Sequence, residues 1–402
     1  MSTLTMELPA TSIRTKRIES IDLLRGLIIV IMALDHVRDY FHADAYLYNP
    51  TDLSQTSAFL FFTRWITHFC APVFAFLAGT SAYLNGLKKT KKELSVFLIT
   101  RGLWLVVLEF LIITLEWTFN PAYNVFLVQV IWSLGISMIF LAGLIHLPRK
   151  AILLTGIILI AAHNLLDHVH VPGSGAAAIF WAFLHEQRFF MIGNTGLFVG
   201  YPIIPWIGIM ATGYCLGTLY APGYDATKRK RTLIFLGAGI TALFIIVRAV
   251  NSYGDPSHWS AQKDPLFSFL SFLNTGKYPP SLLYTLMTLG PSLLFLAFAE
   301  GPLNRFTQKM VVIGRVPMFF YILHIVFIHL LAVFAAMLTG YRASDMVLTT
   351  WVTDSAQLKG YGFNLLTVYI LWIAVVVALY PLCRWYDAYK RSRREKQWLS
   401  YI

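Results

Sequence analysis

The chain holds 402 residues, of which 57% are hydrophobic and only 13% charged, whereas about a quarter are charged in an ordinary soluble domain. That composition excludes a soluble globular protein, and apolar runs spaced along the whole length leave no polar stretch large enough to fold separately. A net charge of +12 raises nucleic-acid binding, but the lysines and arginines cluster in alternate loops between the apolar runs, so no nucleic-acid partner is expected.

The expected fold class is all-α: a polytopic helical membrane protein of about ten transmembrane helices. Spans are predicted near residues 21–41, 56–86, 94–118, 122–146, 151–168, 197–220, 232–250, 281–299, 311–339 and 363–386. The first run follows Arg14, Lys16 and Arg17 as a signal peptide would, yet it carries Asp22, Arg25, Asp35 and His36 and lacks a small-residue cleavage site, so it reads as a retained span. Residues 1–20 then form a cytoplasmic segment, 21–386 the membrane domain and 387–402 a basic cytoplasmic tail. Most of the 32 lysines and arginines fall on the N-terminal side of this arrangement, in groups such as Lys88–Lys92 and Lys228–Arg231. Short basic loops mark the cytoplasmic face, which puts both termini there. The long loops near 169–196, 251–280 and 340–362 lie on the opposite side, where Trp181, Trp259 and Trp351 suit an interfacial aromatic belt.

Span 1, IDLLRGLIIVIMALDHVRDYF, is the most heavily charged. An ionisable side chain at membrane depth costs a few kcal/mol unless paired or wetted, so such residues are functional candidates. Arg25 and His36 are eleven residues apart, close to three helical turns, which puts them on nearly one face about 16 Å apart along the axis. An imidazole suits a general base or an acyl-accepting nucleophile near neutral pH. Asp39, three residues on, can reach His36 and orient it, whereas Asp35 more naturally pairs with Arg38. Asp22 and Arg25 also fit a plain interfacial ion pair.

Span 2 places Arg64 and His68 on one face, and Pro72 frees the carbonyl of His68 by removing the donor four residues on. In span 3, Arg101 and Glu109 can face one interior. Span 9 contributes Arg315, Tyr321, His324 and His329, with His324 deep and Arg315 near the cytoplasmic edge, where snorkelling to headgroups is the simpler account. Cys70, Cys215 and Cys383 all lie within apolar segments, so no disulfide is expected. His163, His168, His170 and His185 lack accompanying cysteines or an HExxH pattern, and no metal site is expected from them.

These pieces resemble the transmembrane acyltransferases, most closely the heparan-alpha-glucosaminide N-acetyltransferase-like family. The resemblance runs through Ser20-Ile21-Asp22-Leu23-Leu24-Arg25-Gly26, Asp35-His36, Cys70-Ala71-Pro72-Val73-Phe74 to Gly79, Tyr201-Pro202-Ile203-Ile204-Pro205-Trp206-Ile207-Gly208, and Gly314-Arg315-Val316-Pro317 leading to His324. The spacing of Arg25 and His36 also resembles a signature of the related type-3 membrane acyltransferases. The resemblance implies acyl transfer from cytoplasmic acetyl-CoA to a sugar hydroxyl or amine on the far side of a membrane, here a bacterial inner membrane. CoA phosphates would meet Arg25, Arg101 or Arg315 at the basic rim, Arg64, His68 and His324 would line the cavity, and no metal is implied. The partners are acetyl-CoA, a glycan or glycan precursor, the lipid bilayer and, as one option, a second copy of the chain in a homodimer. The family pattern sets the catalytic histidine on the loop after span 1, where this chain offers His42; the type-3 signature selects His36. His36 is the first expectation and His42 the second. The rival class is a secondary transporter, since intramembrane charges and broken helices also serve ion-coupled translocation.

Overall fold

The computed structural model describes residues 18–393, 395–396 and 399. It is mostly helical, with 70% helix and 5% strand. The chain runs through α1 (Glu19–Phe41), α2 (Ala58–Thr67), α3 (Cys70–Gly86), α4 (Lys91–Leu108), α5 (Thr114–Thr118), β1 (Val125–Val128), α6 (Val130–Leu144) and α7 (Arg149–Ala162). It continues with α8 (Ala176–His185), β2 (Arg188–Ile192), β3 (Thr195–Val199), α9 (Ile204–Leu216), α10 (Ala226–Val250) and α11 (Pro265–Leu273). The last helices are α12 (Leu282–Phe298), α13 (Arg305–Arg315), α14 (Pro317–Leu338) and α15 (Leu365–Ser392).

Among the described residues, six helical stretches are long and apolar enough to cross a membrane: Ala58–Gly86, Lys91–Thr118, Arg149–Leu166, Ala226–Val250, Pro317–Leu338 and Leu365–Ser392. The other four expected segments are helical too, but α1 carries several charges, and α6, α9 and α12 are only 15, 13 and 17 residues long. Outward-facing apolar side chains recur at helical spacing, as in Leu103, Val107 and Leu111 on one stretch and Ile370, Ile373 and Val377 on α15. Such a stripe would be a liability in water and is the natural surface toward lipid tails. Residues 1–17 of the expected segment 1–20, and 394, 397, 398 and 400–402 of the expected tail 387–402, lie outside the described residues; residues 387–392 continue α15, where Asp387 pairs with Arg391 at 2.8 Å.

Three departures from the expected spans have local causes. The expected span 311–339 breaks at Val316, where Pro317 starts α14 without a backbone donor and α13 ends one residue earlier. The segment 56–86 is interrupted between α2 and α3: Pro72 cannot bond the His68 carbonyl, and the hydroxyl of Tyr284 on α12 donates to that carbonyl instead at 2.6 Å. The fourth and sixth segments begin with strands. β1 pairs in parallel with β3, which pairs antiparallel with β2, giving the order β1-β3-β2. Glu109, in a π-helical turn after α4, then caps α6: its carboxylate accepts from the backbone amides of Gln129 (3.1 Å) and Trp132 (2.7 Å), an anion at a helix N-terminus. That bonding replaces the expected interior shared with Arg101.

The charged first helix is tolerated because it runs through the centre, touching α2, α3, α12, α13, α14 and α15. Close approach depends on paired glycines: a Cβ on Gly26 would sit 1.8 Å from the Met310 carbonyl oxygen, and one on Gly314 would sit 1.9 Å from that of Asp22. Without a hydrophobic driving force in lipid, such backbone-to-backbone packing is a main source of helix association.

Candidate functional site

A cavity of about 600 Å³ opens beside the last third of α1. Asp35, His36, Arg38 and Asp39 supply its floor, Arg64 and Thr67 come from α2, and Tyr321 comes from α14. The parallel strands contribute through their C-terminal ends, where Gln129 follows β1 and Gly200 and Tyr201 follow β3. The loops after α1, between α11 and α12, and before α15 form the mouth with Tyr48, Lys277, Tyr278, Trp351, Asp354 and Lys359.

His36 is half-buried on this wall. Its Nδ1 lies 2.7 Å from Nε2 of His324, whose own Nδ1 lies 2.9 Å from the Phe320 carbonyl one turn back on α14. A carbonyl only accepts, so His324 carries its proton on Nδ1 and presents the Nε2 lone pair to His36. His36 must then donate from Nδ1, which leaves its Nε2 with a free lone pair on a ring that lines the cavity. The edge of this ring meets Trp117 at a centroid distance of 4.8 Å, and Trp117 stacks on Trp351 at 4.7 Å. Rotation of the imidazole is thereby restricted.

Beside it, Asp35 gathers the charges. It forms an ion pair with Arg38 Nη1 at 2.9 Å and accepts hydrogen bonds from Thr67 Oγ1 at 2.9 Å and from Arg64. Arg64 extends on to the Tyr278 hydroxyl at 3.5 Å. Tyr278 lies outside the spans; burial acts to raise its phenol, but the charges of Lys277 and Arg64 hold it below its ordinary value. The expectation that Asp39 orients His36 is corrected by the structure: Asp39 bonds Arg38, and His324 takes the place beside the imidazole. The reason is reach, because the guanidinium between Asp35 and Asp39 draws both carboxylates and α14 brings a ring nitrogen to His36.

The remaining expected site residues are dispersed. His42 caps the end of α1, is 5% exposed, and lies outside the cavity lining. His68 is buried against the Tyr284 ring at 5.3 Å. Arg25 donates to Asp22 at 3.1 Å and to Ser81 Oγ at 3.0 Å. Arg315 lies within 3.7 Å of Asp22 and Glu19 and 3.8 Å of Asp387, so it gathers with Arg25 at the other end of α1. Arg101 sits over the Phe97 ring on α4. Arg248, a further intramembrane charge, is accounted for structurally: it donates to the carbonyls of Ser257, Ser271, Phe272 and Asn274, fastening the loop after α10.

Sequence reasoning missed Lys277, Tyr278, Gln129 and Asp354, which reach the cavity from loops and strand ends with no periodicity to mark them. Trp351 was assigned to the interfacial belt but lines the cavity, and the only signal was its place in a long loop. The histidines dismissed as metal ligands also behave differently from one another. His168 and His170 are exposed, whereas His163 and His185 are buried and meet beside Asp167.

The model of the family described as heparan-alpha-glucosaminide N-acetyltransferase, catalytic, matches residues 17–249, which include α1 through nearly all of α10 and the cavity-lining residues from Met32 to Tyr201. A search of curated proteins gave no match.

Proposed function

The chain belongs to the heparan-alpha-glucosaminide N-acetyltransferase catalytic family, and from that membership we propose that it moves an acetyl group from cytoplasmic acetyl-CoA to a hydroxyl or amine of a glycan or glycan precursor on the far side of the membrane. The observation that carries this reading is the hydrogen-bond chain from Phe320 through His324 to His36, which leaves a basic imidazole nitrogen on the cavity wall. In this reading all ten expected segments cross the membrane, both termini are cytoplasmic, and the cavity mouth faces outward.

His36 Nε2 takes the proton from the acceptor as its oxygen or nitrogen attacks the thioester carbonyl. The tetrahedral intermediate collapses, the carbon–sulfur bond breaks, and the imidazolium returns the proton to the departing CoA sulfur. Throughout, Nδ1–H stays on His324, which fixes the ring and shares the charge that develops on it. The Arg64 guanidinium and the Tyr278 hydroxyl stand on the same cavity and are the donors for the intermediate's oxyanion. CoA would reach in from the opposite end of α1, where Arg25 and Arg315 supply cations for its phosphates, and the eleven residues from Arg25 to His36 correspond to about 16 Å, a span suited to a pantetheine arm.

The test is incubation of purified protein with acetyl-CoA labelled in the acetyl group, following CoA release and label transfer to envelope glycans beside the His36→Ala variant. Loss of both in a folded variant supports the reading. Retained turnover overturns the role of His36, and a folded wild-type protein that neither binds nor cleaves acetyl-CoA overturns acyl transfer in favour of solute translocation.

A further inference from the structure

We propose that His163, Asp167 and His185 bind one divalent transition-metal ion of the zinc class, and that this ion fastens the outer wall of the cavity. Among the described residues these three form the one group of histidine, cysteine and carboxylate side chains able to share a metal, with their ligand atoms all within 4.8 Å of one another. Two imidazoles and one carboxylate are a donor set for zinc, which takes nitrogen and oxygen ligands at about 2.0–2.2 Å in a tetrahedron and accepts a water as the fourth ligand.

The geometry is nearly assembled. His185 Nε2 stands 3.1 Å from Asp167 Oδ1, close to the edge of about 3.4 Å that a tetrahedron with those bond lengths requires. His163 has to close by up to about one and a half ångströms to complete it, a movement within reach of a ring rotation. His163 is 2% exposed, and neither of its ring nitrogens has a partner in hydrogen-bond geometry, although the Pro280 carbonyl stands near the ring. A buried imidazole left unpartnered costs free energy, and a metal removes that cost. Its neighbourhood also offers the outer contacts that metal ligands use: the Pro280 carbonyl faces the His163 ring, and Asn164 Nδ2 donates to Asp167 Oδ2 at 2.8 Å. Asp167 is partly exposed and gives the ion its way in.

Binding needs no co-reactant. The proton that His185 now holds between Nε2 and Asp167 moves to Nδ1, which is without a partner, and Nε2 and the carboxylate turn to the metal. The consequence lies two or three residues away along the chain. Gln187 follows His185 and lines the cavity, and Lys277 and Tyr278 precede Pro280 and line it as well. Asn164 Oδ1 also accepts from the Leu282 amide at 2.9 Å, tying the end of α7 to the start of α12. An ion at this point therefore joins the segment after α7, the end of α8 and the loop that carries Tyr278.

The experiment is a Zn²⁺ titration of the full-length protein in detergent, stripped with chelator and carrying no polyhistidine tag, with a chromophoric chelator as competitor. The wild type should bind one ion per chain in the micromolar range or tighter. His163→Gln and His185→Gln should weaken binding by more than the 10–100-fold that changes in outer contacts cost, while His170→Gln, at an exposed histidine, should not. Co²⁺ loaded into the unaltered protein should give the intense visible absorption of four-coordinate nitrogen and oxygen ligation, a readout that survives if a variant fails to fold. A wild type that binds no Zn²⁺ at micromolar concentration, folded His163→Gln and His185→Gln variants that bind as tightly as the wild type, or a six-coordinate Co²⁺ spectrum would overturn the proposal.

Discussion

His36 and His324 stand 2.7 Å apart, ring nitrogen to ring nitrogen, and their planes lie within 19° of parallel. Two neutral imidazoles at this distance can share only one proton along the contact, and the Phe320 carbonyl decides its direction by requiring Nδ1–H on His324. The contact fixes the tautomer of His36, and in the proposed mechanism His324 serves His36 much as a carboxylate serves a catalytic histidine elsewhere.

Replacing His324 therefore tests orientation separately from proton transfer. His324→Phe preserves the ring volume and removes the acceptor, so His36 loses its tautomeric preference. The expected loss in kcat is about 10²–10⁴-fold, the usual contribution of a positioned acid–base group, with KM for acetyl-CoA little changed because the cations proposed for CoA lie at the other end of α1. An equal effect on kcat and KM would point to general collapse of the cavity instead.

Asp35 holds two arginines at once, and Arg38 is 3% exposed. Asp35→Asn keeps the shape but takes the carboxylate from Arg64 and leaves Arg38 with Asp39 alone. Removing one partner of a buried ion pair costs about 3–5 kcal/mol, so melting of the detergent-solubilised protein should shift strongly downward. Asp35→Asn combined with Arg64→Gln should recover part of the loss. A single variant that melts with the wild type would mean that water or lipid headgroups already screen the cluster.

His42 separates the two histidine readings and gives a signed pH effect. Burial lowers its pKa below the usual imidazole value of 6.5, with Arg38 acting in the same direction and Asp44 opposing both. The folded state therefore favours the neutral ring. This stability is present above the unfolded value near 6.5 and is lost as pH falls through the folded value, since the unfolded chain takes up the proton first. His42→Gln should flatten the decline in melting temperature below pH 6.5 while retaining acetyl transfer, because the ring lies off the cavity. A variant that loses transfer but melts normally would make His42, rather than His36, the base.

How much of this was written in the sequence depends on the range of the interaction. The pairing of Asp35 with Arg38 is a matter of helical spacing and was legible, as was the carbonyl that Pro72 frees at His68. The partner of that carbonyl, Tyr284, was not, because it lies 216 residues away. His324 was noticed for its depth, but nothing in span 9 says that its Nε2 meets His36. The strands were hidden because β1 and β3 are four and five residues long and lie within a few residues of apolar helices. Glu109 read as an interior charge, since the amides that it caps belong to a helix twenty residues on. The cluster of His163, Asp167 and His185 depends on α8 folding back toward the end of α7, and no spacing along the chain encodes that.

The closest helix contact offers a sharp test of the core. Gly26 and Gly314 lie where α1 crosses α13, and a methyl group on either meets a backbone carbonyl at under 2 Å. Backbone cannot yield as a flexible side chain can, so Gly26→Ala must push the two helices apart. Arg25 and Arg315 move with them, because one donates toward the Gly314 carbonyl at 3.4 Å and the other directly follows that glycine. The expected outcome is a large drop in melting temperature together with weaker acetyl-CoA binding measured by calorimetry. The exposed Gly143, whose added Cβ meets nothing within 4 Å, provides the comparison: Gly143→Ala should leave both unchanged or raise stability slightly, since alanine is the better helix former. Equal behaviour of the two variants would mean that α1 and α13 do not pack backbone to backbone, and the grouping of cations at that end of α1 would lose its structural basis.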